Sequence, residues 1–360
     1  MDTKKDKYLD GFVINDCCIL SKDTFTITAT KETKKDIWTE WPVAHIVSYY
    51  DDDKKKGDND PWGGVIFKKN NLKWPRAVHS NKSTFFVLDN EGRVFHAGFG
   101  KGNKYREKQI SPHLTGSIEN IQNIHGTIYA VGINRAVIRR EGRDKWTLIS
   151  KEIKEQAEEK LDVFQAGFNS IDGFNSTSDL YAGGGHSDMW HYDGKVWRGI
   201  DIPVLRMRIA AVVCAGDEQV YAVGRFGTIV QGRGDRWKAI KQDLTQSDFT
   251  DAVWYEDRLY LCTTSNLYEL KDGELKETNF NSNEVPFTFG HLYANDGLLM
   301  SAGEYSIAIY NGKEWDILHG ASSYTQELEN TVLSKMLDDA EKTVEAAGDV
   351  LDALKDLPKK

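Results

Sequence analysis

Cysteine, proline and long apolar runs are all scarce in this chain. The four cysteines among 360 residues, Cys17, Cys18, Cys214 and Cys262, show no framework spacing and no CxxC pair. They imply reduced thiols rather than a disulfide scaffold, and with them a cytoplasmic setting. Prolines number only 7. No stretch approaches the roughly 18 apolar residues that cross a bilayer, so no membrane insertion is expected. The opening Met1-Asp2-Thr3-Lys4-Lys5-Asp6-Lys7 has no apolar core, and no signal peptide is expected. A basic surplus is missing too: 46 Lys and Arg face 55 Asp and Glu, a net charge of −9. Such a chain lacks the electrostatic footprint of nucleic-acid binding, so nucleic acid is not an expected partner.

What the chain has is 31 glycines, 10 tryptophans and 40% hydrophobic residues. That much apolar surface can offset the entropy of ordering and excludes a disordered chain. The glycines and tryptophans are periodic. Ile128-Tyr129-Ala130-Val131-Gly132 is followed by Ala136-Val137-Ile138-Arg139, Gly142 and Trp146. Val220-Tyr221-Ala222-Val223-Gly224 is followed by Gly227-Thr228-Ile229-Val230, Gly234 and Trp237, and Leu180-Tyr181-Ala182-Gly183-Gly184 leads in the same way to Trp190, Asp193-Gly194 and Trp197. Looser copies surround Phe86, Tyr260 and Leu299. The anchors Phe86, Tyr129, Tyr181, Tyr221, Tyr260 and Leu299 stand 43, 52, 40, 39 and 39 residues apart. A period near 40 built from short β-branched and aromatic segments cut by glycine predicts the four-stranded blades of a propeller, not a helical solenoid.

These segments resemble the repeats of the bacterial YVTN/WD40-like β-propeller superfamily, including its BNR-like members. The motifs that carry the likeness are Tyr-Ala-Val-Gly, Gly-Thr-Ile-Val and Tyr-Asp-Gly-x-x-Trp, over residues 84–318 and more loosely over 11–80. The resemblance implies an all-β fold, a single propeller of four-stranded blades over residues 1–320, and the outer-strand aromatics count about seven blades (six to eight). It is specific for fold and poor for function. Outer-strand aromatics are read at Trp74, Trp146, Trp197, Trp237 and Trp315, with Tyr105 and Leu275 as weaker equivalents. Residues 11–41 hold extra strands, at 12–20, 24–30 and 37–41. They either complete the ring beside the last blade or form an eighth, irregular one.

Departures from the repeat are where function is sought. The interval ending at Tyr181 is about 12 residues too long, and residues 151–161 read as an inserted, charged helix whose removal would leave the fold standing. It leaves on the same face as the turns between second and third strands. Those turns offer Asn134, Arg135, His186, Arg225, Phe226, Asn266, Glu304 and Tyr305, with Glu155 and Glu158 on the insertion, as candidate binding residues, because loops held by a rigid scaffold are the usual place for binding. Residues 51–61 superficially suggest a calcium loop, but position 12 is Trp62 and three lysines oppose a cation, so no metal is expected there. Residues 325–357 predict a C-terminal amphipathic helix, with Leu333, Leu337, Ala340, Val344, Ala347, Leu351 and Leu354 in heptad register. Its stripe (Leu333, Leu337, Val344, Leu351 and Leu354 above all) must pack on the propeller, pair with a second chain in self-association, or enter a partner's groove.

Catalytic signatures are missing: there is no P-loop, GxGxxG after a strand, GxSxG or HExxH. His186, Asp188 and His191 do not converge on one strand face, so they make neither a metal site nor a catalytic one. No cofactor is expected. The sequence points to a non-catalytic, cytoplasmic protein-binding propeller. By fold association and charge, it would suit an immunity protein neutralising a toxin or secreted effector, or equally an assembly adaptor. Two rival readings are a glycoside hydrolase- or lyase-like enzyme with its site at the central channel, drawing on arginines such as Arg135, Arg206, Arg208 and Arg225, and a structural protein that self-assembles through its C-terminal heptads.

Overall fold

The computed structural model describes residues 6–32, 44–50, 62–67, 72–98, 105–107, 109–110, 116–156, 167–280 and 285–320. The expected strand at 37–41, the charged loop 51–61, Glu158 and the C-terminal helix with Leu333, Leu337, Val344, Leu351 and Leu354 lie outside the described residues.

The described strands form seven four-stranded antiparallel sheets, each built from consecutive strands. Sheet one is Phe12–Ser21, Thr24–Lys31, Ala44–Tyr50 and Trp62–Phe67. Sheet two is Arg76–Asn81, Thr84–Leu88, Val94–Gly98 and Tyr105–Arg106. Sheet three is Ile118–Ile124, Thr127–Gly132, Ala136–Gly142 and Lys145–Leu148. Sheet four is Phe168–Gly173, Leu180–Gly184, Met189–Tyr192 and Trp197–Ile200. Sheet five is Ile209–Cys214, Val220–Gly224, Thr228–Arg233 and Arg236–Ala239. Sheet six is Asp251–Tyr255, Arg258–Cys262, Leu267–Lys271 and Glu274–Glu277. Sheet seven is Gly290–Asn295, Leu298–Gly303, Ile307–Tyr310 and Trp315–His319. First strands of neighbouring sheets pack on one another all the way round, and that of sheet one packs on that of sheet seven. The architecture is an all-β propeller with the first strands around its axis.

The burial pattern explains the sequence pattern. Second strands are covered on both faces, so Leu180–Gly184 and Val220–Gly224 are buried throughout and read as unbroken small and apolar runs. Fourth strands face solvent and carry charge, as in Arg236–Ala239 and Glu274–Glu277. The cores lie between sheets rather than within them. Cys18 and Leu20 meet Ala77 and Phe85 between sheets one and two. Val213 and Val223 meet Leu259 and Leu261 between sheets five and six. Ile27 and Trp62 meet Met300 and Ile307 where the ring closes.

Polar clips on the first strands join the sheets across these cores. The Asp16 carboxylate accepts the Ala77 N–H of the next sheet at 2.9 Å. Asp172 accepts that of Cys214 at 2.8 Å, and Asp251 that of Leu292 at 2.9 Å. Outer tryptophans reach backward: the Trp146 indole donates to Glu107 at 3.0 Å and the Trp197 indole to the Ile149 carbonyl at 3.0 Å.

Three expectations change. Strands 12–21 and 24–31 pair with Ala44–Tyr50 and Trp62–Phe67 in a sheet of their own, not with the last sheet. Trp74, read as an outer-strand aromatic, lies outside every strand and is 52% exposed. The insertion begins as a helix, Lys151–Gln156, but it is not a detachable ornament, because Ile153 is fully buried in the core between sheets three and four. Its deletion would open that core.

Candidate binding face

Strand direction alternates within each sheet, so every connection from a fourth strand to the next sheet emerges beside the turns between second and third strands. That face carries the Lys151–Gln156 helix and the tips of the sheets. The axial channel opens among these tips as a cavity of about 380 Å3. First strands contribute Asp16, Arg76, Asn120, Asn169, Asp251 and His291, while tips and connections contribute Arg208, Arg225, Asp248 and Glu304.

The channel wall is polar but largely committed. Each oxygen of Asp16 accepts a backbone N–H, from Cys17 and from Ala77. Asp251 does the same with Ala252 and Leu292. Burial pushes Asp251 up to about 7, with Asp16 adding like charge, against the lowering pull of its two amide bonds. Burial raises Asp16 as well, opposed by Arg76. A nitrogen of the Arg76 guanidinium lies 3.2 Å from Nδ1 of His291. Burial and that guanidinium push His291 down to about 3, so its ring is neutral at pH 7 and can accept the bond. What these groups do chemically is join sheets one, two, six and seven.

No family model matches the chain, so its likeness to YVTN/WD40-like repeats holds at the level of propeller architecture. The chain is similar to the immune protein Tsi7 of Pseudomonas aeruginosa, at 32% identity over 243 residues, or 66% of this chain and 76% of that protein. It belongs to the Tsi7 family. Among solved structures, YCF48 from Cyanidioschyzon merolae superposes with a TM-score of 0.54 at 12% identity, over 86% of this chain and 94% of that one, a likeness of fold alone. Virginiamycin B lyase from Staphylococcus aureus is more distant, at 9% identity and a TM-score of 0.47, over 65% of this chain and 80% of that one.

In this Tsi7-family chain the candidate residues fall into three groups. Arg225, Phe226, His186 and Glu304 are exposed on the loop face, and Arg225 and Glu304 also line the channel mouth. Asn266 and Tyr305 are half-buried and engaged: the Asn266 amide donates to Glu277 at 2.7 Å and the Tyr305 hydroxyl to Glu32 at 3.2 Å. Asn134 is half-buried at the tip of sheet three. Arg135 is withdrawn from solvent. Its guanidinium pairs with Asp188 at 2.6 Å and lies over the Trp190 ring, whose indole donates to the same carboxylate at 2.8 Å. It is therefore a joint between sheets three and four. Glu155 stands in the helix with its side chain outside the described set.

His186, Asp188 and His191 diverge, as alternation requires: Asp188 serves Arg135, and His191 lies 3.0 Å from Asp179. The clip carboxylates escaped notice in the sequence. Their one signal was an Asp interrupting an apolar first strand, as in Asn15-Asp16-Cys17-Cys18 and Ser170-Ile171-Asp172.

Proposed function

We propose that this chain is a non-catalytic immunity protein that binds a protein toxin in the cytoplasm and neutralises it by occupying it with the loop-bearing face of the propeller. The observation that carries this reading is its 32% identity to the immune protein Tsi7 over a stretch covering 76% of that protein. The fold supports it. A rigid ring presents non-identical tips around one open mouth, which is how scaffolds display binding residues. The channel carboxylates are occupied by backbone amides, which favours a structural use over proton transfer. His186, Arg225, Phe226 and Glu304 are the proposed contact residues, with the Lys151–Gln156 helix as a flank.

Co-expression tests the reading. Cells producing a candidate toxin from the same host should stop growing, and co-production of the full chain should restore growth. Arrest that persists despite soluble, folded chain would overturn it.

A further inference from the structure

The channel mouth is unevenly charged. The connection into sheet five carries Leu205, Arg206 and Arg208, and the tip of the same sheet carries Arg225 and Phe226. The two segments form one surface, since the Arg225 N–H donates to the Arg208 carbonyl at 3.1 Å. Leu205 is 93% exposed and Phe226 65%. Arg208 and Arg225 both line the cavity.

Two features of this corner are unexplained by folding. The first is Phe226 itself. Its φ is +58°, the left-handed conformation that the matching tips also adopt at Asn134 and His186, but one that disfavours a bulky ring. The ring gains no core contact in return; the Arg225 guanidinium lies over it at 4.7 Å. A strained residue that also exposes an aromatic ring is one that contact with a partner would reward. The second is the arginines. Among the described residues Arg93, Arg135, Arg139, Arg140, Arg143, Arg198, Arg233 and Arg258 each have a carboxylate within 4 Å, whereas Arg206, Arg208 and Arg225, like Arg76, Arg106 and Arg236, have none; three of these six gather at this one corner. The acids that share the mouth are turned to other uses or other sides. Asp248 accepts the Phe226 N–H at 2.8 Å, Glu119 accepts the Ser117 hydroxyl at 3.0 Å, and Glu304 stands on the tip of sheet seven.

We propose that this corner of sheet five is the anchor for an acidic, apolar-flanked segment of the protein partner, a statement that rests on the toxin-binding reading above. Phe226 and Leu205 take the apolar contact. Arg208 and Arg225 present forked donors to partner carboxylates at the mouth of the channel, the geometry in which arginine outperforms lysine. The assignment runs against the net charge of −9, by which a basic partner would be favoured.

Fluorescence anisotropy on the full chain tests it with two labelled peptides, one of glutamate and leucine and its lysine-for-glutamate counterpart. The glutamate peptide should bind in preference, and more weakly as salt is raised. R208E/R225E should weaken it by about tenfold or more. F226N should weaken it while the melting temperature stays level or rises, since asparagine tolerates the left-handed turn. Equal or tighter binding of the lysine peptide, or glutamate-peptide affinity untouched by charge reversal, would overturn the proposal. The toxin arm separates the two ideas. Wild type that neutralises the toxin as well as R208E/R225E does removes this anchor and leaves the toxin reading intact. Wild type that fails to neutralise removes the toxin reading, while the peptide preference still decides the anchor.

Discussion

At the scale of single residues, neighbours on one face have opposite duties. Arg135 and Phe226 occupy equivalent tips of sheets three and five, yet one is buried in an ion pair and the other projects into solvent. Removing one member of a buried pair strands the other's charge, so Arg135→Ala should cost about 3–5 kcal/mol in urea denaturation. Phe226→Asn should cost none. The buried carboxyls set a pH dependence. Burial pushes Asp172 up to about 6 and Asp251 up to about 7, from 3.8. The folded chain therefore holds these protons more tightly than the unfolded one, and the stability they contribute is fully present only below the unfolded value. It is lost as pH rises through 6 and 7. His291, lowered to about 3, acts in the opposite sense, costing stability as pH falls below 6.5. Asp16 acts with the two carboxyls, and His79 and His96, also lowered by burial, act with His291, so the carboxyl contribution is read by difference. Between about pH 4 and about pH 7 the urea midpoint of the wild type should drop relative to that of Asp251→Asn; a difference that stays constant or grows in favour of the wild type over that range would contradict the assignment.

At the scale of the element, the Tyr-Ala-x-Gly motif has a cause the sequence did not disclose. The period of about 40 residues was legible, because one Gly and one Trp per sheet recur with it. A glycine that ends a strand ordinarily supplies a turn with positive φ. Gly224 is extended instead, and a Cβ there would lie 1.9 Å from the Arg208 carbonyl oxygen. Gly184 and Gly303 meet the backbone before their own first strands in the same way, at 1.6 and 2.2 Å. Positive φ belongs to Gly227, at +64°. Gly224→Ala should therefore lower stability by about 2–4 kcal/mol and disturb the neighbouring Arg208, read as a lower melting temperature together with weaker binding. Sheet one was the least legible element. Its second strand buries Thr26 and Thr28 where other sheets use Ala, Val or Leu, with the Thr28 hydroxyl satisfied by the Pro75 carbonyl at 2.8 Å. Buried threonine erased the repeat signature, and Trp74 imitated one. The clips Asp16, Asp172 and Asp251 were illegible for another reason: each joins residues 41 to 61 positions apart, a separation that local patterns do not register.

At the scale of the whole molecule, the ring closes by packing rather than by exchange of a strand. The Ile14 N–H donates to the Glu304 carbonyl at 3.0 Å, and the Asn295 amide to the Ile19 carbonyl at 2.9 Å. The first strand of sheet one thus seals the loop-bearing face and the channel beneath it. A closed ring fixes the tips relative to one another, which is what a surface that must match a partner needs. The central proposal is that this face, and not the opposite one, captures the protein partner. Titration calorimetry of the full chain with the toxin that it neutralises in co-expression tests that proposal most directly, with two double variants. Phe226→Asn with His186→Ala alters the loop face, and Asp235→Ala with Lys313→Ala alters exposed turns on the far face. The first should lose affinity by about tenfold or more and the second should keep it. The reverse pattern, far-face loss with the loop face indifferent, would contradict it.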